Sequence, residues 1–115
     1  MATRESVIQA DCIKALNKTK RCLVKRNTVG VAVTHGRFIT YGLGTGSTDL
    51  VGMLKGGRVF CLEIKTPSGK TKPERAAEQE KWREAVRSWG GFATVVRSVT
   101  EALEALTRAE QGESQ

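Results

Sequence analysis

Long apolar runs are missing from this 115-residue chain, which excludes a transmembrane helix; no membrane partner is expected. The opening Met-Ala-Thr-Arg-Glu-Ser lacks the apolar stretch of a secretory signal. Cysteine is scarce: Cys12, Cys22 and Cys61 are odd in number, widely spaced and without a Cys-x-x-Cys pair. That pattern suggests neither a disulfide framework nor a zinc site, and it reads as small core residues in a reducing cytoplasm. The single histidine, His35, falls in an expected turn and reads as solvated. Two phosphate-binding patterns are also missing. Gly42-x-Gly-x-Gly46 is not Gly-x-Gly-x-x-Gly and precedes no helix. Gly69-Lys70-Thr71 resembles the end of a P-loop, but Ile64 stands where that loop needs glycine and prolines lie close by. No nucleotide cofactor is expected. Without repeats or linkers, the chain reads as one domain over residues 1–115, with a core at about 4–108.

Hydrophobic residues make up 39% of the chain and charged residues 27%, ordinary for a globular protein. The net charge of +7 is uneven. From Arg4 to Arg37 there are eight Lys or Arg against Glu5 and Asp11; after Thr100 the balance turns acidic, with Glu101, Glu104, Glu110 and Glu113 against Arg108. A basic body suits a polyanionic partner through counterion release.

Periodicity and breakers predict a helix over 4–18, with Thr3 or Ser6 as its cap, and short strands over 22–26, 29–33 and 37–41. His35-Gly36 is a plausible hairpin turn between the last two. Residues 42–48 read as a loop, 50–54 as a strand and 58–66 as another, joined by a tight turn at Gly56-Gly57. These strands are expected to form a meander. A basic, breaker-rich loop leads to Pro73, suited to the first turn of a helix running to Trp89 that Gly90-Gly91 stops. Trp82 and Trp89, seven apart, read as a packed face of that helix. A strand over 92–96 and a helix over 99–108 follow, with a tail from Glu110 to Gln115 expected to fray.

Within this frame one constellation stands apart: Asp49, thirteen intervening residues, then Glu63-Ile64-Lys65. Residues i and i+2 of a strand share a face, so Glu63 and Lys65 project together while Phe60, Leu62 and Ile64 go to the other side. The antiparallel turn at Gly56-Gly57 brings Asp49 opposite the far end of its partner strand, close to both. Buried charges need a partner or a metal. Two converging carboxylates can hold Mg²⁺ or Mn²⁺, with Ile64 offering its main-chain carbonyl. Such a metal binds a phosphate oxygen and acidifies water, and Lys65 would orient or deprotonate that water or neutralise developing charge. The competing explanation is a surface Glu–Lys pair with an unrelated Asp in a turn.

These residues and their surroundings resemble the VRR-NUC domain, a branch of the PD-(D/E)XK nuclease superfamily. The resemblance rests on Gly46-Ser-Thr-Asp49-Leu, on Glu63-Ile-Lys65-Thr-Pro-x-Gly69, on a helix with Gln79 and Trp82, on Gly90-Gly91 before a short strand, and on Arg26-Asn27-x-x-Gly30 with Glu5 upstream. It implies an α/β, PD-(D/E)XK nuclease-like fold: a central mixed β-sheet flanked by helices, in the order α-β-β-β-β-β-α-β-α. It further implies a DNA nuclease in which Asp49, Glu63 and the Ile64 carbonyl bind metal and Lys65 is catalytic. Glu5 would reach the site from the first helix and Gln79 would complete it. The family places its Gln directly after Ser-Pro-Glu, whereas Arg-Ala-Ala-Glu separates Glu74 from Gln79 here, so Glu74 or Glu78 could face the site instead. Lys25, Arg26, Asn27, Ser47, Lys70 and Lys72 are the expected nucleic-acid contacts. The chain looks like a stand-alone phage or bacterial type, placed in the cytoplasm of a bacterial cell or phage-infected host.

The expected activity is therefore Mg²⁺- or Mn²⁺-dependent endonucleolytic cleavage of DNA, selective for branched or junction structures, by a homodimer. A sequence-specific restriction-type nuclease is less favoured because the chain has little room for a reading module. From another class, the alternative is a non-catalytic nucleic-acid-binding or assembly subunit on a nuclease-like fold, which would have no need of Asp49, Glu63 and Lys65.

Overall fold

The computed structural model describes residues 3–115. Helix α1 (Arg4–Lys18) starts at Thr3, whose hydroxyl accepts the Ser6 amide. Strands β1 (Cys22–Arg26), β2 (Gly30–Thr34), β3 (Arg37–Tyr41), β4 (Leu50–Leu54) and β5 (Val59–Ile64) follow. Helix α2 (Pro73–Ser88), β6 (Phe92–Val96) and α3 (Val99–Glu110) complete the order. Ser98 caps α3 by accepting the Glu101 amide. Among the described residues no helix is long and apolar enough to cross a membrane.

The expected meander does not form. The main sheet runs β1-β4-β5-β6, with β1 paired directly to β4, while β2 and β3 form a separate two-stranded ribbon. Two antiparallel pairings are followed by a parallel one between β5 and β6, so the sheet is mixed. The ribbon turns where expected: His35 and Gly36 both have positive φ (49° and 74°), as a two-residue primed hairpin turn requires. β5 is shorter than expected, because Arg58 and Lys65 fall outside it. The Lys65 amide still continues the ladder, donating to the Val96 carbonyl at 3.0 Å.

Alternation along the central strands divides the core. Phe60, Leu62 and Ile64 join Val24, Leu50 and Phe92 beneath α1 and α3, where Cys12, Leu16, Ala102 and Leu106 are buried. Cys61 and Ala93 face α2 instead, against Val86 and Trp82. Trp89, expected in this packed face, is 91% exposed. It lies past the end of the helix, where the chain turns at Gly90 (φ 94°), so the i, i+7 periodicity no longer applies to it.

The tail does not fray. The Ala93 amide donates to the Ser114 carbonyl, and Arg58 reaches the carbonyls of Gly90, Ala109 and Glu113. The tail thus completes main-chain pairing on β6 rather than hanging in solvent.

Helix α1 is fixed to the sheet by Asn17, whose amide donates to the Val24 carbonyl (3.0 Å) and accepts the Val24 amide (2.8 Å). This clamp also sets where the N-terminal end of α1, with Glu5, comes to rest. Asn17→Ala should lower stability by about 1–3 kcal/mol, since two main-chain groups lose their partner; urea unfolding measures it.

Candidate active site

Extending the strand registers by one residue aligns Asn27, Asp49 and Glu63 across β1, β4 and β5, at the end where each strand leaves the sheet. The Asn27 amide donates to the Asp49 carbonyl at 2.8 Å. The Asp49 side chain crosses to β5, where Oδ2 accepts the Ile64 amide at 2.8 Å. Asp49 is thereby held beside Glu63, on the face covered by α2. The sequence expectation that Asp49, Glu63 and Lys65 converge is met in the geometry.

Glu63 sits near the end of the central strand at 2% exposure, and its Oε2 is buried with no hydrogen-bond partner among the described residues. An orphaned carboxylate oxygen is expensive. Burial pushes the Glu63 carboxyl well above the ordinary carboxylate range, and the neighbouring Asp49 pushes it further, outweighing the opposing charge of Lys65.

Two clefts meet over this pair. One of about 370 Å³ is lined by Glu5, Lys65, Lys70, Lys72 and Arg75. The other, about 480 Å³, extends towards Arg26, Asn27, Gly30 and Ser47. Asp49, Glu63, Arg75 and Gln79 line both. Gln79 is 9% exposed, whereas Glu74 and Glu78 are exposed and line neither cleft. Of the three candidates on α2, Gln79 is the one placed at the site. Lys25 belongs with neither cleft; its partner in the β1–β4 register is Val51, two rows back from Asn27 and Asp49. Arg75 was not expected. It lies one helical turn before Gln79 on the same face, so extending the Gln79–Trp82–Val86 stripe backwards would have found it.

Several contacts hold the Asp49 loop. The Asn27 amide donates to Ser47 Oγ and the Thr48 carbonyl, both at 2.8 Å, while its oxygen accepts the Leu43 amide. Asn27 and Ser47, expected as nucleic-acid contacts, thus also bond to one another. Trp82 Nε1 donates to the buried Thr48 hydroxyl at 3.1 Å, tying α2 to the residue before Asp49. Gly46 (φ 90°) passes so close to α2 that a Cβ would lie 3.0 Å from the Glu78 backbone. Opposite, Arg97 fixes the loop after β5 by donating to the Thr66 and Gly69 carbonyls.

The donor set fits a hard divalent cation: a carboxyl oxygen without a partner, a second carboxylate beside it, and no sulfur or imidazole among the cleft residues named above. Among the described residues no group of three or more His, Cys, Asp and Glu stands close enough to hold an ion. Asp49 and Glu63 would therefore need oxygen from the main chain, water or a ligand to complete a coordination shell. Glu5 lines the cleft without joining them in such a group.

Among solved structures, one described as "VRR_NUC domain" matches 92% of this chain and 97% of its own, with a TM-score of 0.59 at 22% sequence identity. The chain has the fold of a VRR-NUC domain. The mixed sheet flanked by helices is PD-(D/E)XK-like, as the motif resemblance implied. No protein-family model and no curated protein matches the sequence.

The raised Glu63 pKa has a definite sign. The metal-free folded protein holds a proton that the unfolded chain releases in the ordinary carboxylate range. Its stabilising effect is fully present below that range and is lost as pH rises through the folded value. Metal-free protein should therefore lose thermal stability between mildly acidic and alkaline pH. Glu63→Gln should flatten that loss without lowering the melting temperature at neutral pH, as a melting series in EDTA would show.

Proposed function

We propose that this protein is a divalent-metal-dependent endodeoxyribonuclease that acts on branched DNA as a homodimer. The observation that carries the reading is the unpartnered, buried Glu63 oxygen beside Asp49, at the floor of a cleft whose rim carries Lys65, Lys70, Lys72 and Arg75. A cation site beneath a phosphate-binding rim is the arrangement that phosphodiester hydrolysis needs. The VRR-NUC fold agrees with it.

Asp49, Glu63 and the main-chain carbonyl of Ile64 are the groups that would hold Mg²⁺ or Mn²⁺. Bound there, the ion supplies positive charge to a phosphate oxygen and lowers the pKa of water. The remaining work falls to the chain. Lys65, half-buried just beyond β5, places an ammonium group where it can orient or deprotonate the attacking water and offset charge developing on the phosphate. Gln79 offers an amide that can donate to phosphate or hold water without adding charge. Lys70, Lys72 and Arg75, with Arg26 on the far side, grip neighbouring phosphates. Their contacts position the backbone and read no bases, so selection by DNA shape follows more naturally than recognition of sequence. One such site cuts one strand, and a two-fold pair suits a branch point.

The test is a panel of labelled DNAs: single strand, duplex, flap and four-way junction, each with Mg²⁺, Mn²⁺ or EDTA. Cleavage should require metal and favour branched substrates. Lys65→Ala should reduce its rate by about 10²-fold or more while DNA binding persists. Lys70→Ala with Lys72→Ala should weaken binding to every substrate and reduce the salt dependence by about 0.9 in log–log slope per lost duplex contact. Binding with no cleavage under any condition would remove the nuclease reading in favour of a non-catalytic nucleic-acid-binding subunit.

A further inference from the structure

The β2–β3 ribbon contributes nothing to the main sheet, and its two strands pack chiefly on each other. Its register places Val31, Val33, Phe38 and Thr40 on one face. That face is open: Val31 is 58%, Val33 66% and Phe38 79% exposed. An isolated two-stranded ribbon is marginal in water, and a contiguous apolar face signals a partner.

The charge of the ribbon says which partner. From Thr28 to Gly46 the only Lys or Arg is Arg37 and there is no acid, in a chain with 19 basic and 12 acidic residues. A surface that grips DNA phosphates carries cations; this one carries almost none. A second copy of the chain, itself at +7, meets like charge over most of the molecule, and the ribbon is where two copies approach with little repulsion. We infer that the Val31–Val33–Phe38 face of the hairpin is the surface through which two copies of this chain associate, ribbon against ribbon about a two-fold axis. Such an interface is self-complementary, and the Val33–Phe38 cross-strand pair meets its own equivalent.

The base of the ribbon reaches the site. Val29 and Gly30 line the larger cleft together with Asp49 and Glu63. Asn27 holds the returning strand through the Leu43 amide. Pairing of the ribbons therefore relates the two clefts through short, anchored segments. One rival apolar surface is the cross-strand row Leu23, Met53 and Val59, each about half exposed. It is backed by the full sheet and so needs no cover to be stable, and Lys20 and Lys55 border it.

This inference names the surface for the homodimer of the nuclease reading, and rests on that reading only for the purpose of the pairing. Self-association is measured without DNA or metal, so its failure leaves the cleavage test standing, and a failed cleavage test leaves it standing. Analytical ultracentrifugation at high micromolar concentration should show two chains per particle for the wild type. Val33→Glu with Phe38→Glu should give one, with unchanged far-ultraviolet dichroism and melting of the body. Leu23→Glu with Met53→Glu should leave the wild-type mass. A monomeric wild type, a dimer that survives the ribbon substitutions, or a dimer lost only through Leu23 and Met53 would each overturn the assignment. A monomer in which Phe38→Ala selectively weakens branched-DNA binding would overturn it in favour of a contact with DNA bases.

Discussion

A carboxyl group buried near the end of a central strand is costly, and the arrangement around Glu63 answers to that cost. β5 is paired on both sides, so Glu63 cannot turn aside without breaking the ladder. Its Oε2 has no hydrogen-bond partner among the described residues, although Lys65 lies two residues away and Asp49 adjoins it. Burying an uncompensated charge of this kind costs several kcal/mol, which a proton relieves and which a divalent cation, in the proposed reading, would relieve more completely. Asp49 spends one oxygen on the Ile64 amide, which fixes its position while leaving the other carboxylate oxygen for a ligand. The site is held ready by main-chain geometry and does not depend on flexible side chains meeting by chance.

Around this pair the protein separates rigid support from exposed charge. Asn27, Thr48 and Trp82 fasten the loop before Asp49 from β1 and α2, and Arg97 fastens the loop after β5. The cations at the rim, Lys70, Lys72 and Arg75, stay exposed. Exposed cations suit a long, solvated polyanion, whose binding draws on counterion release. The hairpin serves neither end. Its lack of charge sets it apart from the basic body and suits a protein contact better than a phosphate one.

Much of this was legible in the sequence because it depends on local rules. Breakers and caps placed the helices: Pro73 opens α2, Thr3 opens α1, and Gly90-Gly91 ends the turn after α2. Two-residue alternation put Phe60, Leu62 and Ile64 under one pair of helices and left Glu63 on the other face, and the Gly56-Gly57 turn fixed the register that brings Asp49 to it. The rest depends on pairings far apart in the chain. Nothing in 29–41 says that its strands leave the sheet, since an alternating apolar strand looks alike whether it joins a sheet or projects from it; the direct β1–β4 pairing decides this. Trp89 carries the period of α2 but lies past its end. Lys25 sits two register steps from the row of Asn27 and Asp49, a distinction visible only once β1 is aligned with β4. Arg75 was hidden by its charge, since an exposed arginine near a helix start is unremarkable until Gln79 is known to face the cleft. The tail gave no sign of the Ser114 and Arg58 contacts that hold it.

The account stands on Glu63 being a cation ligand kept protonated until the cation arrives. Calorimetric titration of Mn²⁺ near neutral pH, in two buffers of different ionisation enthalpy, addresses that directly. The predicted result is saturable binding that releases about one proton per ion, with both the binding and the release lost in Glu63→Gln. Binding that releases no proton, or that persists undiminished in Glu63→Gln, would contradict it.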